Sequence, residues 1–371
     1  MNNGIHKKVL ILTNNIGGLH SFRKEVLKAI VDAGYRVYIS EPDDDERVGY
    51  FKSIGCSIIK TDFNRRGINP IDDFKLMLNY RKLIKKQKPV AVLTYTIKPN
   101  IYGGIASRLC GVPQIANVTG LGDALENGGW LKMLSIGLYK LGLRKARCVF
   151  FQNNNNRESC IRLGIANEDS KLLPGSGVNL QHHTYQPYPQ DDGKITFLYI
   201  GRLLKDKGIE EYFSAAKTIK KKYPNTEFRI LGNIEGSYQF QLAELTRVGI
   251  ISYLGTTNDV RPFIKNVHCT VMPSYHEGMS NVNLESAANG RPVITTNVPG
   301  CRETVDDGKT GFLVEAKSAQ SLAEGIERFI ALPYNDKELM GQNARQKVEK
   351  EFDRQIVVEA YLKVLEELSV S

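Results

Sequence analysis

Short apolar runs, each followed by a turn and a longer stretch of helical period, alternate along the whole of this 371-residue chain. KVLILT at 8–13 is a continuous apolar run of the kind buried on both faces of a parallel sheet. Asn14-Asn15-Ile16-Gly17-Gly18 reads as a turn, 21–33 as a helix ended by Gly34, and YRVYIS at 35–40 as a second strand. That is a βαβ unit with glycines where its first strand meets its helix. Further strands are expected at 56–61, 90–94, 113–118 and 148–152, with helices from Asn69-Pro70 to about Lys88 and over 129–147. A polar loop, Tyr95-Thr96-Ile97-Lys98-Pro99-Asn100, and a glycine turn at 119–122 lie at strand ends.

The pattern then breaks and restarts. Pro174, Pro187 and Pro189 punctuate a turn-rich stretch, 174–194, that reads as a linker between domains. ITFLYI at 195–200 opens a second α/β series, followed by the basic loop GRLLKDKG at 201–208 and a helix over 209–222. Strands are expected at 228–231, 251–254, 269–272, 293–295 and 311–314, and helices at 321–332 and 337–352. A last amphipathic helix covers 354–368. The expected organisation is a Rossmann-like domain at 1–173, a linker at 174–194, a second Rossmann-like domain at 195–352, and a C-terminal helix at 353–371 able to cross back to the first domain. Two doubly wound α/β sheets would face each other across a cleft, with ligands at the strand ends.

Composition narrows the function. At 42% hydrophobic and 24% charged residues the chain is globular rather than disordered. A net charge of +10 points to an anionic partner. Nucleic acid is disfavoured, because aromatics are not clustered on a basic face. The helix at 129–147 interleaves an apolar set with Lys132, Lys140, Arg144, Lys145 and Arg147. It suits either an anionic bilayer surface or a core helix with a basic solvent face. Six cysteines without a C-x-x-C pair read as small buried side chains in a reducing compartment. The apolar run at the N-terminus is too short for a signal sequence, and no stretch approaches the ~20 apolar residues of a membrane span. A cytoplasmic protein is expected, peripheral at the inner face of a membrane. Asp43-Asp44-Asp45 reads as a solvated loop rather than a metal site.

Chemistry concentrates at 271–303, VMPSYHEGMSNVNLESAANGRPVITTNVPGCRE. An apolar strand ends at Pro273, and a helix starting near Gly278 would place Glu277 at its mouth and Glu285 about two turns in. Unpaired N–H groups and the positive dipole end there suit a diphosphate. Two carboxylates remain for sugar hydroxyls. In the 201–208 loop, Arg202 offers a planar fork and Lys207 a point charge, both suited to phosphate.

The Pro-Ser-x-x-Glu-Gly opening, the second Glu, Gly290-x-Pro292 and Pro299-Gly300-x-x-Glu303 together resemble the nucleotide-sugar site of the GT4-type retaining glycosyltransferases. The Glu-x7-Glu motif of that family stands here as Glu277 and Glu285. The resemblance covers nearly the whole chain and is strongest over 199–314. It implies a GT-B fold, a nucleotide-sugar donor that is most often UDP-linked, transfer with retention, and no essential metal or other cofactor. By the same resemblance Glu277, Arg202 and Lys207 are catalytic. Gly17, Gly18, Gly201, Gly278, Met279, Ser280, Asn281 and Glu285 bind the donor, with backbone groups of Gly278 to Ser280 on the phosphates and Glu285 on the ribose.

TYTIKPN and NVTGLG resemble the bacterial subgroup that extends sugars on polyprenyl diphosphate for surface polysaccharides. A lipid-linked saccharide acceptor follows, with His20, Lys98 and Asn100 as candidate contacts. Many relatives carry a His in the loop at 95–100; this chain has none there, and His20 is the nearest substitute. Two other readings are a nucleotide-sugar 2-epimerase, which shares the fold but is disfavoured by the Glu-x7-Glu and Gly-Arg…Lys pattern, and a non-catalytic basic binding module.

Overall fold

The computed structural model describes residues 7–42, 45–61, 69–119 and 130–370. The chain divides into two compact units, one formed by Met1–Ser176 with Gln355–Ser371 and the other by Gly177–Arg354. The first holds a seven-stranded sheet: β1 Lys8–Leu12, β2 Arg36–Glu41, β3 Ser57–Lys60, β4 Ala91–Tyr95, β5 Gln114–Val118, β6 Cys148–Phe151 and β7 Lys171–Leu172. Every pairing is parallel, in the order β3-β2-β1-β4-β5-β6-β7. The chain begins in the middle, runs to one edge, and returns beside β1 to build the other, so the order reverses between β1 and β4.

Strand alternation decides which helices cover which face. Val9 and Ile11 pack with Leu19, Val26 and Leu27 of the Ile16–Asp32 helix, and with Val357, Tyr361 and Leu365 of the last helix, Arg354–Val370. Leu10 and Leu12 face the other way, onto Leu76, Tyr80 and Ile84 of the Pro70–Gln87 helix. Tyr361 also donates its hydroxyl hydrogen to Asn117 Oδ1, at the end of β5. From Gln355 onward, the final helix is therefore part of the first unit.

The second unit holds β8 Ile195–Ile200, β9 Thr226–Leu231, β10 Ile251–Tyr253, β11 Cys269–Met272, β12 Val293–Thr296 and β13 Gly311–Val314. They are again all parallel, in the order β10-β9-β8-β11-β12-β13, and the reversal lies between β8 and β11. Phe197, Tyr199, Phe228 and Val271 form the centre of its core with Tyr212 and Phe213 of the Ile209–Lys222 helix.

Several details differ from expectation. Asn15 caps the Ile16–Asp32 helix by accepting from Gly18 N at 2.9 Å, so Gly17 and Gly18 form its first turn rather than a preceding one. Asparagine at that position competes well with a turn because its short side chain satisfies an orphan N–H. Residues 177–194, expected as linker, are held by the second unit. Arg291, fully buried, donates to the carbonyls of Gln186, Pro187 and Lys265, and Tyr188 Oη donates to His268 O at 2.9 Å. The Gln239–Arg247 helix has no counterpart in the sequence expectation. The glycine turn at 119–122 from Gly120 on, and Asp43 and Asp44, lie outside the described residues. All six cysteines are free thiols, and burial pushes that of Cys56 up to about 12.

Candidate active site

Two strand-end loops meet at the reversal point of the second sheet, where open α/β sheets place ligands. After β8 the chain passes through Gly201 and Arg202 into one 3-10 turn, Lys205–Lys207, closed by Gly208 at φ 70°. A Cβ on Gly208 would collide with the Pro273 carbonyl oxygen, so glycine alone allows this loop to close on the end of β11. Tyr275 N donates to Asp206 O at 2.8 Å and ties the loops together. Their contact brings two residues 70 positions apart into an ion pair: Lys207 Nζ donates to Glu277 Oε1 at 2.7 Å. Ser274 Oγ donates to the same oxygen at 2.9 Å. Both charged side chains are only 17% exposed, which strengthens their attraction relative to a surface pair.

The motif's second half explains how Glu277 is held. Gly300, at φ 83°, packs directly under the Glu277 carbonyl oxygen, and its own carbonyl accepts from Ser280 N at 2.7 Å. Gly300 N in turn donates to Glu303 Oε2 at 2.7 Å. The Pro299-Gly300-x-x-Glu303 pattern is thus a turn that braces the 277–280 loop. The helix behind it spans Asn281–Ala288, three residues later than expected. Ser280 is its N-cap, and its hydroxyl accepts from Asn283 N. This corrects one assignment, since the Ser280 N–H is consumed by Gly300 and is not offered to a phosphate. The Met279 side chain is buried with Val178, Leu284 and Phe352, so it supplies packing and leaves only its backbone for a ligand. Asn281 is partly buried, and its Oδ1 is buried without a hydrogen-bond partner.

Glu285 sits a little over one helical turn inside the helix and is partly buried. Burial pushes its carboxyl up to about 7, against the opposing pull of Arg354 and with a smaller push from Asp259. Arg202 is 57% exposed and pairs loosely with Glu235 at 3.2 Å, so its fork stands at the sheet edge. Ser274 and Glu303 were not singled out as site groups from the sequence. Their positions within the motif were the available signal; the contacts that give them roles are tertiary.

In the first unit the expected acceptor residues have separate environments. His20 packs edge-on against the rings of Tyr50 and Phe51, at 5.0 and 6.0 Å. Burial, then the nearby Lys24 and Arg47, lowers its pKa and favours the neutral ring. Lys98 Nζ donates to Asp73 Oδ1 at 2.8 Å, and Tyr102 Oη donates to Asp73 Oδ2. Asn100 is a correction. It is buried, accepts from Thr94 Oγ1 at 2.7 Å and donates to Asn117 O at 2.7 Å. Its polar character serves the π-turn Pro99–Gly103 and the strand ends rather than an acceptor. Sequence reasoning missed Thr96, at φ 74°, whose Oγ1 donates to Asn14 Oδ1 at 2.6 Å across the β1/β4 reversal. No local sequence signal marks a β-branched residue for that backbone region.

The second unit therefore presents a carboxylate held by a lysine, an exposed guanidinium paired with Glu235 and a braced helix mouth at a sheet's reversal point. The Glycosyl transferases group 1 family matches residues 184–347, and the Glycosyl transferase 4-like family matches residues 8–153. The UDP-Gal:alpha-D-GlcNAc-diphosphoundecaprenol alpha-1,3-galactosyltransferase of Escherichia coli is 30% identical over 78% of both chains. The N,N'-diacetylbacillosaminyl-diphospho-undecaprenol alpha-1,3-N-acetylgalactosaminyltransferase of Campylobacter jejuni is 26% identical over 96% of this chain and 98% of its own. The Anabaena HepE structure with UDP and glucose superposes with a TM-score of 0.77 at 18% identity, over 97% of this chain and 100% of that one. The chain belongs to the GT4-type glycosyltransferases and has their GT-B fold.

Proposed function

We propose that this chain is a retaining, metal-independent transferase that moves a hexose or N-acetylhexosamine from a UDP-linked donor. The acceptor in this reading is a saccharide on a polyprenyl diphosphate, met at the inner surface of an anionic membrane. The observation that carries the proposal is the Lys207–Glu277 pair at the β8/β11 reversal. A diphosphate arriving there takes up Lys207 and frees the Glu277 carboxylate for the donor sugar's hydroxyls. Arg202 adds its fork from the same loop. As the glycosidic bond breaks, negative charge gathers on the leaving diphosphate, and fixed cations aimed there lower the barrier. The diphosphate oxygen can accept the acceptor hydroxyl's proton, so no separate protein base is required. Support for the acceptor comes from the similar enzymes whose names specify diphosphoundecaprenol-linked saccharides, and support for UDP from the E. coli enzyme.

Thermal shift across UDP, GDP and UDP-linked hexoses and N-acetylhexosamines tests the donor. Selective stabilisation by UDP and one UDP-sugar is expected, because a ligand of the native state raises Tm by mass action. A flat panel overturns the site. An NMR reading of the product's anomeric configuration tests retention, and activity in EDTA tests metal independence; loss restored by a divalent ion overturns the latter.

A further inference from the structure

The two helical layers over the first unit's sheet are unequal. One consists of Ile16–Asp32, Val48–Ser53 and Gln355 onward of the last helix. The other consists of Pro70–Gln87, the π-turn Pro99–Gly103 with its continuation Gly104–Leu109, and Trp130–Leu143, with Asn154–Arg162 packed beside it through Cys160. Its inner side packs on Leu10, Leu12 and Val92 and on Ala116, Val118 and Phe151. The middle segment touches both flanking helices, so the three lie side by side.

Charge separates the layers. In the first, five cations stand against five carboxylates. In the second, ten cations stand against three carboxylates, Asp72, Asp73 and Glu158, and Asp73 is buried beneath Lys98 and Tyr102. Exposed apolar side chains separate them again. Among the described residues the first layer exposes one large hydrophobe, Ile356 at 38%. The second exposes Ile71, Phe74 and Leu78 on one helix, at spacings of three and four, and Met133, Leu134 and Leu141 on another. Phe74 is 58% exposed and Met133 70%. A helix covering a sheet normally shows water a polar outer side. These two show apolar residues on both sides, with Lys75, Lys82, Lys85 and Lys86 exposed on one and Lys140 on the other. Apolar side chains bordered by lysine stems fit a helix lying at a lipid interface, where the stems reach outward to headgroups.

We propose that this layer is a membrane-docking face, with the outer sides of Pro70–Gln87 and Trp130–Leu143 pressed together into an anionic bilayer surface. The partner is the lipid surface, because the net positive charge complements anionic headgroups. The face is continuous with the candidate acceptor loop. Lys98, in the loop after β4, is paired with Asp73 on the same helix as Phe74, and Ile97 beside it is exposed. Docking there would fix the β1/β4 reversal point relative to the lipid that carries the acceptor. The purpose rests on the lipid-linked acceptor of the proposed function; the binding itself does not.

The test is flotation of the full chain with vesicles of phosphatidylcholine alone or with phosphatidylglycerol, alongside the UDP thermal shift. Wild type should float with phosphatidylglycerol vesicles. The pair Phe74→Glu/Met133→Glu should weaken partitioning by about tenfold or more with the UDP shift kept. Lys82→Glu/Lys85→Glu should do the same through charge, and serves as the deciding variant if the first misfolds. Ile356→Glu, on the other layer, should change nothing. Wild-type protein that shifts with UDP but ignores anionic vesicles overturns this face and leaves the transferase reading intact. Vesicle binding without a UDP shift does the reverse. Variants that float like wild type, or a dimer in light scattering that Phe74→Glu/Met133→Glu dissociates, also overturn it.

Discussion

At the β1/β4 reversal of the first unit, neutral groups join the two strand-end loops; at the β8/β11 reversal of the second, charged groups do. Thr96 reaches Asn14 through a hydroxyl, and beneath them Thr94, Asn100, Gln114 and Asn117 form a buried amide network. Lys207 instead reaches Glu277 through an ion pair, with Arg202 standing exposed nearby on the same loop. Both sheets reverse in the same way, so topology explains where each crevice lies and nothing about what it takes. The neutral reversal point is saturated by its own amides and carries its strain in one residue. The charged one holds the ion pair and the exposed Arg202 that the proposed diphosphate and sugar would engage.

Predictions that break this contrast run from large to small. If Glu277 holds the donor sugar as proposed, Glu277→Ala should cut turnover by at least about a thousandfold while the fold survives, with a lower Tm from the unpaired Lys207. Activity near wild type would return Glu277 to the status of a helix-mouth acid. Gly208→Ala should cost about 2–4 kcal/mol in urea unfolding, because a Cβ meets the Pro273 carbonyl at a positive φ. An unchanged midpoint would show that the two loops need not close.

Glu285 sharpens the comparison through pH. Its folded pKa of about 7 stands above the ordinary 4.5, so the unfolded chain loses this proton first as pH rises. The resulting penalty is absent below about pH 4.5, accumulates up to pH 7 and is complete above it. Glu285→Gln should therefore raise stability at pH 8 by up to ~3 kcal/mol and leave it nearly unchanged at pH 4. Denaturant curves at the two pH values decide; an equal effect at both removes the buried-carboxyl explanation. In the first unit, Thr96→Gly should be near neutral, because relief of the positive φ offsets a lost hydrogen bond. Thr96→Val, which keeps the strain and loses the bond to Asn14, should cost about 1–2 kcal/mol. Equal effects of the two would deny that Thr96 is strained.

Much of this was legible in the one-dimensional pattern. Continuous apolar runs such as KVLILT and ITFLYI became the central strands β1 and β8, because strands buried on both faces leave no polar alternation to misread. The positions of Glu277, Arg202 and Lys207 at strand ends were legible as well, since the turns that carry them sit directly after such strands. The start of the first helix was not. Gly17-Gly18 has the composition of a turn, and only the Asn15 cap draws it into the helix. Asn100 was misjudged for a related reason: an asparagine in a polar loop looks solvent-facing until its partners, six and seventeen residues away, are known.

Alternating apolar runs and glycine positions by themselves determined two doubly wound α/β series and the motif at 277–303, because burial periodicity and backbone freedom are local properties. Tertiary structure alone decided the rest. The pairing of Lys207 with Glu277, the capture of 177–194 by Arg291 and the apolar outer layer at Phe74 and Met133 all join positions far apart in sequence. Such contacts depend on which strand ends are brought side by side when a parallel sheet reverses its order, and no local pattern encodes that juxtaposition.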